Sequence, residues 1–320
     1  MDTTVVSNAN SQEHPSPISQ SLKRLLFSRG SWVGYLFILP WFIGMIWFDA
    51  FPLVANIYLG STDYAVGPVE NANWVGLDNY VKMFTEDELF IKSIGNTVYY
   101  IVLSVPLTLL LSFGIALLLN TNIRMMGLFR TIYYIPSVIP IVAASVIFLW
   151  MFNARSGAVN QLLYAVGIQP IRWLTNPDYI KLTLVLVGLW GFGSQMIVFL
   201  AALQGIPAHL YEAVSIDGGG LFARLRYVTI PLMTPTIFFN MLVGLIASFQ
   251  VFATAFIMLG ANGGALQSGL FYMMHTYNNA FRYFQMGYAA ALSLVLFIAM
   301  FLVNAVMMWS SNRWVYYGDE

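Results

Sequence analysis

The chain has 320 residues, of which 59% are apolar and only 9% are charged. Soluble domains usually carry about 25% charged residues, so this composition excludes an ordinary soluble protein and indicates a membrane protein. The formal net charge is zero and the chain contains no cysteine. These two facts argue against nucleic-acid binding and exclude disulfides, thiolate metal sites and thiol nucleophiles.

Residues 1–30 are predicted to form a disordered cytoplasmic tail, because most of them are polar and show no apolar period. Six tracts without a charged residue follow, and each could cross a hydrocarbon core of about 30 Å as a helix rising about 1.5 Å per residue. These tracts are residues 31–48, 95–119, 131–152, 182–204, 232–258 and 286–310. The predicted fold class is an all-α integral membrane protein, with six transmembrane helices in one domain, residues 31–310, and a cytoplasmic tail at residues 311–320.

The distribution of lysine and arginine predicts the orientation of the spans. With the N-terminus in the cytoplasm, more of these residues lie in short inner segments than in the longer outer loops, as the positive-inside rule requires. Residues 49–94, 153–181 and 259–285 are then outer loops, and residues 205–231 face the cytoplasm. An even number of spans returns the C-terminus to the cytoplasm.

Several catalytic motifs are missing from the sequence. There is no G-x-x-x-x-G-K-[ST] loop to hold the phosphates of a nucleotide, so the chain is not expected to hydrolyse ATP by itself. It also lacks H-E-x-x-H, G-x-S-x-G and paired acidic residues within a span, which argues against an enzyme. Asp49, at the outer edge of the first tract, is interpreted as an interfacial residue. Since the tracts hold no ionisable group, a proton-coupled carrier is disfavoured.

Residues 205–231 form a charged segment between two apolar tracts. A glycine and a proline end the fourth tract, and a short helix is predicted over residues 207–217. Three glycines at 218–220 should break that helix, since glycine adopts positive φ without a steric penalty. A second short helix is predicted over residues 221–227, before the chain re-enters the membrane.

The charge of this segment favours docking on another protein. Glu212 and Asp217 lie on the first short helix, where an anionic lipid surface would repel them. Phe222 on the second short helix is expected to be exposed. The alternative is an amphipathic helix that rests on lipid headgroups.

The stretch "EAVSIDGGGLFARLRYVTIP" at 212–231 resembles the EAA loop in the membrane subunits of ABC importers. Glu212, Ala213, Gly218 and Pro231 match at the family's spacing. The stretches "LFRTIYYIPSVIP", "FLWMFNARSGAVNQLL", "RWLTNPD" and "LQGIPAHLYEAVSIDGG" resemble the sugar-importer branch typified by the maltose transporter. The resemblance implies a type I importer permease-like fold. It also implies an ATPase-coupling set formed by Glu212, Ala213, Asp217, Gly218, Phe222 and Pro231.

The same resemblance implies a complete transport assembly in a prokaryotic inner or plasma membrane. The partners would be two copies of a cytoplasmic ATP-binding-cassette ATPase, a second permease-like membrane subunit and an extracytoplasmic sugar-binding protein. ATP and Mg²⁺ would bind the ATPase, so this chain is expected to hold no cofactor. Its task would be to form part of the path for a di- or oligosaccharide. The alternatives are a stand-alone sugar facilitator or channel and a membrane scaffold without cargo.

A sugar path needs hydrogen-bonding side chains and flat aromatic faces near the middle of the membrane. Asn240, Gly244 and Ser248 are four apart and share one helix face, which could line a path or could pack against another helix. The likeness to the maltose-type subunit supports Trp190, Gly191, Gly244 and Ser248 as residues that line the sugar path. The full set of path candidates is Trp190, Gly191, Gln195, Asn240, Gly244, Ser248, Gln250 and Phe252.

Overall fold

The computed structural model describes residues 31–68, 72–121 and 124–316; the predicted tail at residues 1–30 lies outside this part. The chain divides into two compact units, one ending at Asn56 and the other beginning at Ile57. Among the described residues there is no strand beyond an isolated antiparallel bridge between Thr62 and Trp74. The α-helices are α1 (Ser31–Gly44), α2 (Phe51–Gly60), α3 (Asp78–Thr85), α4 (Glu88–Leu119), α5 (Met126–Val138), α6 (Ile141–Met151), α7 (Ala158–Ala165), α8 (Pro177–Leu189), α9 (Gly193–Gln204), α10 (Ala208–Ile216), α11 (Leu221–Arg224), α12 (Ile230–Phe249), α13 (Ala253–Leu259), α14 (Tyr272–Tyr277) and α15 (Met286–Ser311).

Five helical stretches in the described residues are long and apolar enough to cross a membrane, and the bent pair α5–α6 makes a sixth if it counts as one span. This confirms the predicted all-α membrane fold class. In chain order, spans 1 to 6 are Gly34–Gly60, Glu88–Leu119, the pair α5–α6, Pro177–Gln204, Leu221–Phe249 and Met286–Ser311. The terms inner and outer follow the orientation predicted from the basic residues.

Span 1 is longer than its predicted tract. The helix continues through Asp49 in a π-helical turn, Met45–Ala50, and ends only at Gly60. The prediction ended the tract at its first charged residue. One aspartate lowers helix propensity by only a fraction of 1 kcal/mol, so it does not end a helix.

Span 3 was predicted as one helix over residues 131–152, and this is wrong. α5 and α6 meet at a bend of 94°. Ile139 is extended, with φ −68° and ψ 130°, and Pro140 precedes the first turn of α6. A proline disfavours the helical conformation of the residue before it, which explains the break.

Span 5 was predicted over residues 232–258, and both ends differ. The helix begins at Leu221 and ends at Phe249, and α13 is a separate helix. The second short helix of the charged segment is therefore the start of span 5. A π-helical turn, Leu225–Thr229, precedes Pro231 and carries the helix past it. Local π adjustments of this kind re-satisfy backbone groups around prolines in membrane helices.

α4 lies at the centre of the second unit and packs against α8, α9, α12 and α14. Its inner half joins an apolar cluster around the fully buried side chains of Met196, Phe199 and Met233. Its outer half is bonded to the 260–285 segment: Asn96 donates hydrogen bonds of 3.0 Å to the carbonyls of Gln267 and Leu270. α4 is therefore the central helix on which α8, α9, α12 and α14 pack.

Candidate coupling segment and translocation path

α10 forms the first arm of the charged inner segment and ends in a tight corner. It runs over Ala208–Ile216, within one residue of its predicted bounds. Gly218 has φ +79°, and its N–H bonds the carbonyl of Ser215 at 3.1 Å. The N–H of Gly219 bonds the carbonyl of Val214 at 2.8 Å. This is a Schellman motif, in which the left-handed residue is usually glycine.

The corner exposes acidic and apolar side chains together. Glu212 and Asp217 are exposed, and neither carboxylate has a hydrogen bond or ion pair within the described chain. Phe222 is 79% exposed. A protein surface that binds no partner seldom exposes such an aromatic side chain beside other large apolar groups. We call Glu212, Ile216, Leu221 and Phe222 the docking surface.

The remaining predicted coupling residues lie at different places. Ala213 is exposed on α10 beside Glu212, and Gly218 forms the corner itself. Pro231 is half-buried at the start of α12, away from the tip of the corner. The structure thus brings together all members of the predicted set except Pro231, which belongs to the helix of span 5.

Sequence reasoning missed a group of polar residues behind the docking surface. Tyr211 and Ser215 on α10 face Arg224 and Thr229 at the start of span 5, and hydrogen bonds join the two sides. The four-residue spacing of Tyr211 and Ser215 could have indicated a shared face. Nothing in the sequence shows the π turn that aligns Arg224 with Thr229.

The face of α12 formed by Asn240, Gly244 and Ser248 packs against neighbouring helices. Ser248 Oγ lies 3.3 Å from Ser104 Oγ of α4. A Cβ on Gly244 would stand 3.3 Å from Gln195 Nε2 of α9, and that amide donates to the carbonyl of Asn240 at 3.5 Å. Gln195 Oε1 is buried and has no partner among the described residues. Gln195, Asn240 and Gly244 thus lie together and leave one unused acceptor, whereas Ser248 packs on Ser104 near the outer end of span 5.

Trp190 and Gly191 form a second group, in the 3-10 turn Trp190–Phe192 between α8 and α9. Trp190 is 44% exposed and packs edge-to-face on Phe148, with ring centroids 5.3 Å apart. A Cβ on Gly191 would meet no described atom within 4 Å. This turn therefore offers an open aromatic face to a ligand or to another chain.

Gln250 and Phe252 form a third group, where span 5 ends before α13. Gln250 is exposed. The ring of Phe252 lies 5.2 Å from that of Phe256 and 5.0 Å from that of Tyr277. These rings belong to an outer aromatic cluster that also includes Phe281. The path candidates are therefore spread from mid-span to the outer end and do not form one pocket.

A family model described as "Binding-protein-dependent transport system inner membrane component" matches residues 108–315. The probable ABC transporter permease protein YesP of Bacillus subtilis is 38% identical over 90% of this chain and 93% of its own length. The lactose transport system permease protein LacF of Rhizobium radiobacter is 31% identical, over 88% of this chain and 94% of its own.

Solved structures show the same fold. A chain of a bacterial alginate ABC transporter, in complex with a periplasmic protein that carries an alginate pentasaccharide, aligns over 92% of this chain and 100% of its own. The TM-score is 0.80 and the sequence identity is 22%. At this identity the likeness concerns the fold alone, and the family match and the relatives carry the assignment. The chain therefore belongs to the inner membrane components of binding-protein-dependent transport systems, as a permease subunit of an ABC transporter.

Proposed function

We propose that this chain forms part of the translocation path of an ATP-driven sugar importer. It works in a prokaryotic cell membrane with both termini in the cytoplasm. Two copies of a cytoplasmic ATPase, a second permease-like subunit and an extracytoplasmic sugar-binding protein complete the assembly. ATP and Mg²⁺ are held by the ATPase, and this chain carries no cofactor.

The docking surface is the observation that carries the proposal. Glu212 and Phe222 project from the inner corner with no partner in the described chain, and the chain has no nucleotide-binding loop. A protein-docking surface of this kind gives a separate ATPase a place to bind. A stand-alone facilitator would leave the same surface without a task.

The names of the relatives support a carbohydrate as cargo. Besides the lactose permease, they include permeases for arabino-oligosaccharides, for trehalose and maltose, and for sulfoquinovosyl glycerol. The path candidates of this chain fit that class, because Gln195 and Asn240 can bond hydroxyl groups and the Trp190 ring can stack on a sugar face. No lysine or arginine lies within the predicted apolar tracts, so a strongly anionic cargo would need charge from the second permease.

The test begins with purification of the chain in gentle detergent from its native membranes and identification of the proteins that remain bound. ATP hydrolysis by the purified material is then measured with the external binding protein and a sugar panel: lactose, maltose, trehalose, arabino-oligosaccharides and sulfoquinovosyl glycerol. We expect an ATPase to co-purify and one panel sugar to stimulate hydrolysis severalfold. A chain that purifies alone and moves sugar into vesicles without ATP would contradict the proposal.

A further inference from the structure

Behind the docking surface, α10 is joined to span 5 by side-chain hydrogen bonds. Arg224 Nη2 donates to Ser215 Oγ at 2.6 Å, and Ser215 Oγ donates to the carbonyl of Tyr211 at 2.6 Å. The hydroxyls of Tyr211 and Thr229 are 3.1 Å apart. We call Tyr211, Ser215, Arg224 and Thr229 the clamp.

The π turn at the start of span 5 explains why the clamp can form. On a regular α-helix, residues five apart point about 140° away from each other, at about 100° per residue. In a π turn, hydrogen bonds run from residue i to i+5 and stack such residues. Here the N–H of Ile230 bonds the carbonyl of Leu225, and Thr229 Oγ1 donates to the carbonyl of Arg224 at 3.3 Å. Arg224 and Thr229 therefore face α10 together.

At the corner itself, Gly219 lets the two helices approach each other closely. A Cβ on Gly219 would stand 2.8 Å from the carbonyl oxygen of Val214 and 3.1 Å from Ala223 Cβ. Thr229 is buried, whereas the bond between Arg224 and Ser215 lies at the surface, so the clamp extends from the interior to the exposed side of α10. The close approach at Gly219 and the hydrogen bonds of the clamp together leave the corner little freedom to flex.

We propose that the clamp makes α10 and span 5 move as one rigid body, so that motion of the bound ATPase reaches the translocation path through span 5. Span 5 also carries Asn240, Gly244 and Ser248. The inference rests on the proposed function and adds positioning residues outside the docking surface. Without the clamp, the three-glycine corner would bend and absorb the movement.

The first test uses shape-matched variants in the full complex, reconstituted with the panel sugar that stimulates ATP hydrolysis. Tyr211→Phe and Thr229→Val each remove one hydroxyl of the same hydrogen bond. We expect the ATPase to stay bound, while the sugar transported per ATP falls about threefold to tenfold, the factor that one net hydrogen bond represents. The double variant should lose no more than Thr229→Val alone, because Thr229→Val also removes the bond from Thr229 to the carbonyl of Arg224. Tyr227→Phe is the matched control, since Tyr227 is 73% exposed.

The hydrogen bond between Ser215 and Arg224, the second half of the clamp, is tested with a variant and a matched control. Arg224→Gln should lower the transport ratio, whereas Arg226→Gln should not, because the Arg226 guanidinium faces only the ring of Tyr227, 5.9 Å away, within the described chain. Ser215→Ala should act like Arg224→Gln, and Ser215→Thr should restore the wild-type ratio by retaining the hydroxyl. An unchanged ratio in all clamp variants would overturn the inference, and so would loss of the bound ATPase.

A covalent link supplies a test that does not depend on loss of function. The chain has no cysteine, so Ser215→Cys with Arg224→Cys provides its only thiols. We expect the double-cysteine variant to be poorly coupled and a short bismaleimide to restore its ratio. If the linker instead stops transport, the two helices separate during the cycle and the rigid-body inference is wrong. A wild-type chain that binds no ATPase would instead overturn the proposed function.

Discussion

Among single side chains, Glu212 carries the strongest prediction about activity. It is exposed on α10 and has no partner in the described chain. If it faces a basic group of an ATPase, Glu212→Lys places like charges opposite each other. We predict that sugar-stimulated ATP hydrolysis falls about tenfold or more, while the chain still inserts in the membrane.

The control for this variant is Glu86→Lys, which changes another exposed acid, beside the outer helix α3. It reverses the same charge far from the docking surface, so sugar-stimulated hydrolysis should stay near the wild-type rate. Equal loss in both variants would indicate a general effect of charge reversal and would count against docking through Glu212.

Asp87 leads to a prediction about how the stability of the protein depends on pH. Its Oδ2 lies 2.7 Å from His275 Nε2 and accepts a 2.6 Å hydrogen bond from the Tyr288 hydroxyl. Burial alone would raise the pKa of Asp87, but the Tyr288 hydrogen bond and the charge of His275 together lower it below its ordinary value. A carboxyl with a lowered pKa stabilises the folded state above the pKa of the unfolded chain, and this stabilisation is lost as pH falls through the lower folded value.

We therefore predict that Asp87→Asn lowers the stability of the detergent-solubilised protein by about 1–3 kcal/mol near neutral pH. The difference from wild type should shrink as the pH is lowered below about 4, where unfolded aspartates titrate. Thermal unfolding of both proteins at several pH values measures it. A difference that stays constant down to pH 3 would show that the Asp87 charge does not contribute.

At the level of elements, two glycines in the corner between α10 and span 5 are expected to differ in their importance for coupling. Gly218 has φ +79°, a conformation that L-residues adopt at a penalty of roughly 1–2 kcal/mol. Gly220 has φ −82°, and a Cβ there would meet no described atom within 4 Å. We predict that Gly218→Ala lowers the sugar transported per ATP, whereas Gly220→Ala leaves it unchanged. Similar ratios in the two variants would contradict the role of the Schellman corner.

The crossing of α5 and α9 gives a second prediction about an element. A Cβ on Gly193 would stand 2.6 Å from the carbonyl oxygen of Tyr133, whereas one on Gly127 in α5 would meet no described atom within 4 Å. Gly193→Ala should destabilise the protein by about 1–3 kcal/mol, because the helices must separate. Gly127→Ala should not destabilise it. Thermal unfolding in detergent compares the two.

The bounds of a helix can be predicted well where residues within the helix or next to it determine them. The end of α10 follows from three consecutive glycines, and its observed bounds differ by one residue at each end. Proline alone is less decisive: Pro136 lies inside α5, whereas Pro140 precedes the first turn of α6 at a 94° bend. Both prolines are visible in the sequence, but the sequence does not show which of them breaks the span.

Long-range contacts could not be predicted from one sequence. Asp87 and His275 are 188 positions apart, and nothing near either residue indicates the other. The same limit applies to the path candidates: the shared face of Asn240, Gly244 and Ser248 follows from spacing, but its contacts with α4 and α9 do not. The location of the docking surface could be predicted because it depends on a single segment, and its role stays a prediction.

For the whole molecule, composition and six charge-free tracts were enough to predict the fold class, since about 20 apolar residues suffice to cross a membrane. The family match over residues 108–315 and the fold likeness, at a TM-score of 0.80, agree with that prediction. We propose that this chain moves sugar only when a separate ATPase drives it through the inner corner.

The decisive measurement is sugar uptake into vesicles. The full complex is reconstituted with the binding protein outside, and uptake of the stimulating panel sugar is measured with and without ATP and Mg²⁺ inside. We predict that uptake requires internal ATP and is lost in Glu212→Lys. Uptake at the same rate without ATP, unaffected by Glu212→Lys, would contradict the claim and indicate a facilitator.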